Sequence, residues 1–472
     1  MAAAANVTGC NDFAVLHGCN PLVLCIGGMG RNFARGHVSV ACFVPIHNHN
    51  ARSNMSVFAK APASRSRSFK TVIGGIAMIG ATALVLTGCA PAADTPAEPT
   101  ETLSLKIGTI LPQSGALAFL GPPEEAGVAL AVQDINAADL GITVEAIFRD
   151  SGDTTTDTAT VSVTDLLSQD VTAIIGAASS GVSLTVIDQI VAAGVVQLSP
   201  ANTSPAFTDY DDNGLYWRNA PSDLLQGEVL GNLIAEDGAA TLGMMVLNDA
   251  YGTGLAAALK ATFEAAGGSV VAEELFNEGD TSFDAQVSTL TAAAPDAIAV
   301  ITFDQAKVVV PALVGAGFPG ASLYFVDGNL ADYSADFAPG LVEGAKGTLP
   351  GLDIASLGDF QDRLLEVDPA LTEFSYAAES YDAVVLLALA ALAAKSTVGV
   401  DMAAKLQEIS GGSGDGTKAT DFASAAQIIL DGGVVDYDGV SGPITFNEKG
   451  DPTEATIGIF QYGADNKFSR LN

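Results

Sequence analysis

Two loops in this sequence carry groups that could bind a carboxylate. The loop at 176–181 follows an apolar run and opens a predicted helix, so its free backbone N–H groups, the helix dipole and the Ser180 hydroxyl could hold a small anion. The loop at 199–205 follows another apolar run, and two prolines restrain it. It leaves the Ala201 carbonyl and the Thr203 hydroxyl and amide available to a ligand.

A third loop supplies the opposite charge. Asp327 follows the apolar run 323–326, at a strand end where its carboxylate could receive an ammonium group. Each loop also has an ordinary explanation. Ser179 and Ser180 could merely cap a helix, and 199–205 could be a simple turn. An aspartate at a strand end commonly forms turns. No single loop therefore identifies a site.

Other kinds of chemistry lack the residues that they need. All four histidines and four of the five cysteines lie in the first 50 residues, and Cys89 is the last cysteine. This distribution excludes histidine-based catalysis, Ser–His or Cys–His nucleophiles and His/Cys zinc sites from the main part of the chain. The glycine-rich stretch 411–418 follows no strand and lacks the phosphate-loop spacing. We expect neither enzyme activity nor a metal or cofactor.

Alternating strand and helix patterns must position these loops. Apolar runs alternate with helical patterns in two blocks, 103–220 and 240–345. Such repeats form parallel sheets with helices on both faces, and ligands bind at the carboxyl ends of the strands. The Ala/Leu-rich helix 374–395 has charged residues within or beside it, which favours a packed helix over a membrane span. The sequence thus predicts an α/β protein with two lobes.

The region before the first block is predicted to be an export signal. Residues 55–70 contain basic and no acidic side chains, and 71–86 are apolar. The sequence Leu86-Thr87-Gly88-Cys89 resembles a lipoprotein signal peptidase box, in which the cysteine receives a lipid. Residues 55–88 are therefore expected to be a signal peptide, and lipid on Cys89 would hold the protein at the outer face of the cell membrane. A short membrane anchor is the alternative.

The segments on either side of this signal have separate interpretations. Residues 1–54 do not resemble an export signal or a tether, and we interpret them as a mis-annotated extension upstream of a start at Met55. A metal-binding tail is the alternative interpretation. Residues 89–102 are rich in proline, alanine and acid and are expected to form a flexible tether.

Composition narrows the class of partner. The 472-residue chain has 20 Lys and Arg against 54 Asp and Glu, a net charge of −34. This acidity disfavours nucleic acid as a partner, because phosphate binding needs clustered cations. The chain is 49% hydrophobic, which makes it globular, and its length predicts about two to three domains.

Several segments together resemble the substrate-binding proteins of ABC transporters for branched-chain amino acids. The resemblance covers essentially all of residues 103–472, and it depends on the combination of motifs because each motif alone is common. The matching segments are 107–115, 174–181, 198–205, 248–252, 437–443 and 450–452.

The resemblance implies a type I periplasmic binding protein fold. In this fold two Rossmann-like lobes with parallel sheets are joined by three hinge crossings and close on a ligand. We expect the crossings near Pro221, 348–350 and 445–448. The expected lobes are 103–221 with 351–444 for lobe 1, and 222–350 with 445–472 for lobe 2.

The resemblance also implies which residues hold the charges of a ligand. In the family, residues at the positions of Ser180, Ala201 and Thr203 hold the α-carboxylate, and the last two also help to hold the amino group. Asp327 lies where the family places an ammonium-binding acid. A carboxylate held by lobe 1 and an ammonium held by lobe 2 would favour closure, because only the closed state satisfies both charges.

The expected side-chain pocket differs from that of the family's best-known members. Tyr251 and Phe303 match pocket aromatics of lobe 2, and Tyr381 is expected to line the pocket from lobe 1. Leu120 and Phe303 stand where those members have tyrosine, and Ser179 replaces a cysteine that is often part of a disulfide. The pocket is therefore expected to be more apolar and differently shaped.

The resulting expectation is an extracytoplasmic component of an ABC importer. It would capture an amino acid with a branched-chain or other apolar side chain and act as a monomer that delivers this ligand to a permease and its ATPase. Relatives that bind short amides, urea or aromatic acids leave those ligands open. A ligand-sensing receptor subunit of the same fold is another alternative, and the missing histidines disfavour an extracellular hydrolase.

Overall fold

A computed structural model describes residues 102–353 and 356–472. The predicted extension 1–54, the signal peptide 55–88, the lipidation site Cys89 and all but the last residue of the tether lie outside the described residues.

Strands and helices alternate through the first block, as the sequence predicts. The run Ala173–Gly176 is buried at every position, which is typical of a parallel strand covered on both faces. A proline in the first turn of the first helix fits there because that N–H has no helical partner. In chain order the elements are β1 (Leu103–Leu111), α1 (Gly121–Ala138), β2 (Ile142–Asp150), α2 (Thr158–Ser168), β3 (Ala173–Gly176), α3 (Ser180–Ala192), β4 (Val196–Ser199) and β5 (Tyr216–Arg218).

The second block repeats the same alternation, and the remainder adds helices and short strands. The second block contains α4 (Asp223–Glu236), β6 (Thr241–Leu247), α5 (Ala250–Ala265), β7 (Ser269–Phe276), α6 (Asp284–Ala293), β8 (Ala297–Ile301), α7 (Ala306–Gly315), β9 (Leu323–Phe325) and β10 (Lys346–Pro350). The remainder contains α8 (Phe360–Val367), α9 (Ala377–Ala394), α10 (Gly399–Ile409), β11 (Thr417–Ala419), α11 (Phe422–Leu430), β12 (Val435–Gly439), β13 (Gly442–Pro443), β14 (Ile457–Tyr462) and β15 (Phe468–Arg470).

These strands form two main sheets, each the centre of one lobe. The sheet of lobe 1 has five parallel strands in the order β2-β1-β3-β4-β5. The sheet of lobe 2 has seven strands in the order β15-β14-β10-β9-β8-β6-β7. Its β14 is antiparallel to β10 and to β15, while the strands from β6 to β10 pair in parallel. A small third sheet joins β11, β12 and β13.

Helix α9 lies in the core of lobe 1. Within residues 102–353 and 356–472 it is the one helix long and apolar enough to span a bilayer, and 89% of it is buried inside the protein. It packs against α1, α10 and α11. The helix is therefore a packed core element, as its flanking charges predict.

The chain passes between the two lobes three times. It leaves β5 at Arg218 and enters α4 at Asp223, and it leaves β10 at Pro350 before the helices that pack on lobe 1. These two passages agree with the crossings expected near Pro221 and 348–350.

The third passage lies later than the expected 445–448. Phe446 is fully buried in the core of lobe 1. Asp451 pairs with Arg218 at the end of β5, at 2.6 Å. Because these contacts hold the chain on lobe 1, it crosses to lobe 2 between Asp451 and the start of β14 at Ile457.

Gly176 ends β3 in a conformation that a side chain would strain. Its φ is +108°, and a Cβ there would lie 2.3 Å from the Ile110 carbonyl oxygen. Gly141 has a φ of +77°, but a Cβ there would meet no described atom within 4 Å. Left-handed backbone costs a non-glycine residue about 1–2 kcal/mol, and only Gly176 adds a collision. We expect Gly176→Ala to lower the free energy of unfolding in urea clearly more than Gly141→Ala; equal losses would contradict this account.

Candidate ligand-binding site

Seven of the eight predicted ligand-binding residues line one cavity between the lobes. They are Leu120, Ser180, Ala201 and Thr203 from lobe 1, and Tyr251, Phe303 and Asp327 from lobe 2. The rest of the lining is Leu117, Ala178, Ser179, Gly328 and Tyr376. The carboxyl ends of the two sheets therefore meet at this cavity.

The two serines before α3 have different roles. Ser179 caps the helix, since its hydroxyl accepts a hydrogen bond from the backbone N–H of Val182 at 3.3 Å. The Ser180 hydroxyl instead accepts from the backbone N–H of Ser204 at 3.3 Å, which leaves its own hydrogen free to be donated. Capping thus explains Ser179 only, and Ser180 faces the cavity at the positive end of the helix dipole.

Buried hydrogen bonds fix the two carboxylate loops to each other. The Ser199 hydroxyl donates to the Ala177 carbonyl at 2.7 Å. The Asn202 side-chain amide donates to the carbonyls of Ala177 and Ala178 at 2.9 and 2.8 Å. The Tyr216 hydroxyl in turn donates to the Asn202 side-chain oxygen at 2.9 Å. These bonds hold Ala201 and Thr203 rigidly against the cavity.

Asp327 provides the charge on the opposite wall. Its carboxylate accepts hydrogen bonds from the hydroxyl groups of Tyr251 at 2.6 Å and Tyr376 at 2.8 Å, and from the Gln226 amide at 3.1 Å. Burial raises the pKa of Asp327, and these three hydrogen bonds act against that rise. These three donors are neutral groups, so they orient the carboxyl group of Asp327 without pairing a charge with it.

The remainder of the cavity is apolar. The rings of Tyr251 and Phe303 stack with their centroids 5.4 Å apart and an interplanar angle of 16°. Leu117 and Leu120 complete this side of the cavity. Because the Tyr251 hydroxyl is engaged by Asp327, the surface offered to a ligand side chain consists mainly of carbon.

The prediction for Tyr381 is wrong. Its hydroxyl donates to Asp134 of α1 at 2.6 Å, and its ring packs edge-on against Phe360 of α8 at 5.5 Å. Tyr381 lies inside α9 and faces these two helices of lobe 1. Tyr376 lines the cavity instead, because it precedes the helix with a left-handed φ of +60°.

Asp223 is a candidate that sequence reasoning missed. It begins α4, is fully buried, and donates its backbone N–H to the Thr203 carbonyl at 2.7 Å. An acidic residue in the first turn of a helix is common, because the helix dipole favours it by about 0.3–1 kcal/mol. The sequence alone therefore gives no indication that Asp223 belongs to the site. Removing an ion from water costs several kcal/mol. The burial therefore outweighs the dipole and raises the pKa of Asp223 well above its ordinary range, and the charge of Asp327 raises it further.

Direct hydrogen bonds join the lobes around the cavity. The Ser204 hydroxyl donates to the Ala250 carbonyl at 2.7 Å, and the backbone N–H of Thr154 donates to the Glu278 carboxylate at 3.1 Å. The backbone N–H of Asp304 donates to the Ala116 carbonyl at 3.3 Å. The structure is therefore the closed form, with the cavity shut between the lobes.

A wider space opens on the hinge side of the cavity. Phe374, Phe460 and Arg470 line it, and Tyr376 separates it from the closed cavity. The loops at the strand ends of lobe 1 do not border this space, so the smaller cavity is the better candidate site.

Comparisons with known proteins agree with this geometry. The profile of a periplasmic binding protein family matches residues 104–440. The chain is 26% identical over 350 residues to the chemotactic signal transduction system substrate-binding protein BasB of Halobacterium salinarum, covering 72% of this chain and 82% of that protein. It is 26% identical over 375 residues to Leu/Ile/Val-binding protein homolog 1 of Brucella suis, covering 77% and 92%.

A solved structure supports the same fold. The leucine-binding protein LivK of Thermotoga maritima superimposes with a TM-score of 0.65 at 22% identity, covering 78% of this chain and 98% of that protein. This match confirms the predicted type I periplasmic binding fold with two lobes. Family and fold are those of substrate-binding proteins, which act outside the cytoplasm. Because the family profile matches residues 104–440, most of its length, the chain belongs to the periplasmic binding protein family.

Proposed function

We propose that the protein captures an amino acid with an aliphatic side chain and delivers it to the permease and ATPase of an ABC importer. One observation carries this proposal. Asp327 stands on one wall of a buried cavity whose other wall carries the Ser180 and Thr203 hydroxyls. These groups complement the two charges of an α-amino acid.

The charges of a zwitterion would favour closure. The amino end of α3 and the hydroxyls of Ser180 and Thr203 would bind the carboxylate, while Asp327 would bind the ammonium group. Each hydrogen bond to a charged group contributes about 1.5–3 kcal/mol. Because the two walls belong to different lobes, only the closed form provides both sets of contacts, and closure would report occupancy to the permease.

The apolar side of the cavity supports an aliphatic ligand side chain. Leu120 and the Tyr251–Phe303 stack would bury it, at roughly 25 cal/mol per Å² removed from water. The other ligands that the sequence leaves open fit less well. Aromatic acids lack an ammonium group and would leave the buried Asp327 unpaired, whereas urea and short amides lack the carboxylate.

Matched ligands test the proposal. Thermal unfolding of the purified protein would be compared with L-leucine, with 4-methylpentanoate, which lacks the ammonium group, and with 3-methylbutylamine, which lacks the carboxylate. A ligand at 100 times its Kd adds about 2.7 kcal/mol of stability. We expect an upward shift with L-leucine or another aliphatic amino acid and none with the two analogues. Equal shifts with urea, short amides or benzoate would contradict an amino-acid site.

A receptor subunit is a second candidate, favoured by the similarity to BasB, whose name assigns it to chemotactic signal transduction. Deleting the gene and measuring both uptake of the bound amino acid and chemotaxis towards it would separate the two functions. Loss of uptake supports transport, and loss of chemotaxis alone supports the receptor.

We also propose that lipid on Cys89 anchors the exported protein to the membrane. The family's extracytoplasmic location and the Leu86–Cys89 box support this. Mass analysis of the N-terminal peptide of the membrane-bound protein tests it, and a mature chain that begins elsewhere without lipid would contradict it.

A further inference from the structure

Asp223 lies directly behind the cavity wall, at the first passage between the lobes. Its backbone N–H is bonded to the Thr203 carbonyl at 2.7 Å, and its side chain is fully buried. In the part of the chain that the structure describes, neither carboxyl oxygen has a hydrogen-bond partner of ordinary geometry. The Thr203 hydroxyl lies close to the carboxyl group; a hydrogen bond from it lowers the pKa of Asp223, but burial and the charge of Asp327 raise that pKa more. A buried carboxyl group in this position requires either a cation or a proton.

The groups around Asp223 do not supply a spare cation. The positive charge of Arg218 interacts with Asp223. The Arg218 guanidinium, however, is already paired with Asp451 at 2.6 Å and donates to the Ser204 carbonyl at 2.7 Å. The other titratable groups that interact electrostatically with Asp223 are carboxyl groups and tyrosine hydroxyls. They are Asp249 and Tyr251 at the start of α5, Asp327 after β9, and Tyr376 before α9.

The charges of the proposed ligand also require that Asp223 carries a proton. An amino acid brings one ammonium group, which Asp327 would neutralise, and one carboxylate. An ionised Asp223 would therefore add an unpaired negative charge beside that carboxylate inside a closed cavity. A neutral Asp223 leaves each remaining charge with a partner. A neutral Asp223 also has an O–H to donate, and the nearby Thr203 belongs to the cavity lining.

We propose that Asp223 is a positioning residue that remains a neutral carboxylic acid and donates its O–H to the hydroxyl oxygen of Thr203. Thr203 then directs its own hydrogen into the cavity, towards the ligand carboxylate. Asp327 is left as the single ionised acid of the site, so the site selects ligands with one ammonium group. This inference rests on the proposed function for the identity of the ligand.

Four variants of the full protein test the role of Asp223. They are Asp223→Asn, Asp223→Ala, Thr203→Val and the double variant Asp223→Ala/Thr203→Val, with L-leucine binding measured by calorimetry from pH 5 to pH 9. Asparagine keeps a donor without a charge, so we expect its affinity to stay within about threefold of the unmodified protein at each pH. Asp223→Ala is expected to weaken binding about tenfold, because the Thr203 hydroxyl is no longer oriented. In the Thr203→Val background the same change should cost less than about twofold.

Two calorimetric results would overturn the proposal. If Asp223→Asn weakens binding as much as Asp223→Ala, the site needs the negative charge and Asp223 is ionised. If the losses in the double variant are additive, Asp223 does not act through Thr203. The asparagine variant also controls for folding, since it preserves the size and the donor of the side chain.

An infrared measurement needs no ligand. The spectrum of the unmodified protein minus that of Asp223→Asn should contain the C=O stretch of a protonated carboxyl group at neutral pH. A carboxylate band in its place would overturn the proposal. If L-leucine fails to bind the unmodified protein, the proposed function is in question, while the infrared result still decides the protonation state of Asp223.

Discussion

Replacing Asp327 by asparagine is expected to weaken amino-acid binding by at least about tenfold. Asparagine keeps the size of the side chain but removes the charge that would pair with the ligand ammonium group. A hydrogen bond to a charged group contributes about 1.5–3 kcal/mol, which corresponds to roughly 10- to 150-fold in Kd. Tyr251 and Tyr376 would still have an oxygen acceptor, so the cavity itself should persist. Calorimetry with L-leucine measures the effect.

Asp336→Asn provides a matched control on the same lobe. Asp336 lies 3.8 Å from Lys307 in an exposed ion pair, away from the closed cavity. We expect this variant to bind like the unmodified protein. An Asp327→Asn protein whose affinity equals that of the control would show that Asp327 does not bind the ligand.

Replacing Arg218 by methionine is expected to have the largest effect on stability. The Arg218 side chain is fully buried, pairs with Asp451 at 2.6 Å, and donates to the carbonyls of Asn202 and Ser204. Removing one partner of a buried ion pair costs about 3–5 kcal/mol, because the other charge remains buried without compensation. Methionine keeps most of the apolar volume, so the loss should come from charge and hydrogen bonds. Unfolding in urea measures it.

Lys449→Met is the matched control for a solvated pair. Lys449 contacts Asp209 at 2.8 Å, but about half of its side chain and most of that of Asp209 are exposed. Such pairs add little to stability. We expect a free energy of unfolding close to that of the unmodified protein. Equal losses in both variants would argue against a special role for the buried pair.

Residues at strand ends could be predicted because parallel sheets gather those ends at one edge. Ser180, Thr203 and Asp327 follow three separate strands, and each motif alone has an ordinary explanation. The alternation of strands and helices predicts that the ends converge, and the structure places all three around one cavity. Leu120 and Phe303 depended on the family resemblance, because an apolar residue after a strand carries no signal of its own.

Other features depend on contacts that the sequence does not display. Tyr376 and Tyr381 are five residues apart, and the choice between them depends on where α9 begins. The left-handed conformation of Tyr376 starts the helix at Ala377, later than the predicted 374. The third passage was placed too early because the Arg218–Asp451 pair joins residues 233 positions apart in the chain. Asp223 resembles any acid at a helix start until its burial is known.

The hydrogen bonds that join the lobes around the cavity have a kinetic consequence. A trapped molecule can leave only after the Ser204–Ala250 and Thr154–Glu278 contacts separate. The residence time of that molecule is then set by how often the two lobes separate. Better contacts between the molecule and the cavity slow its escape only by making this separation less frequent. Rapid release of the ligand therefore requires a partner protein that binds the open form of the two lobes more tightly than the closed form.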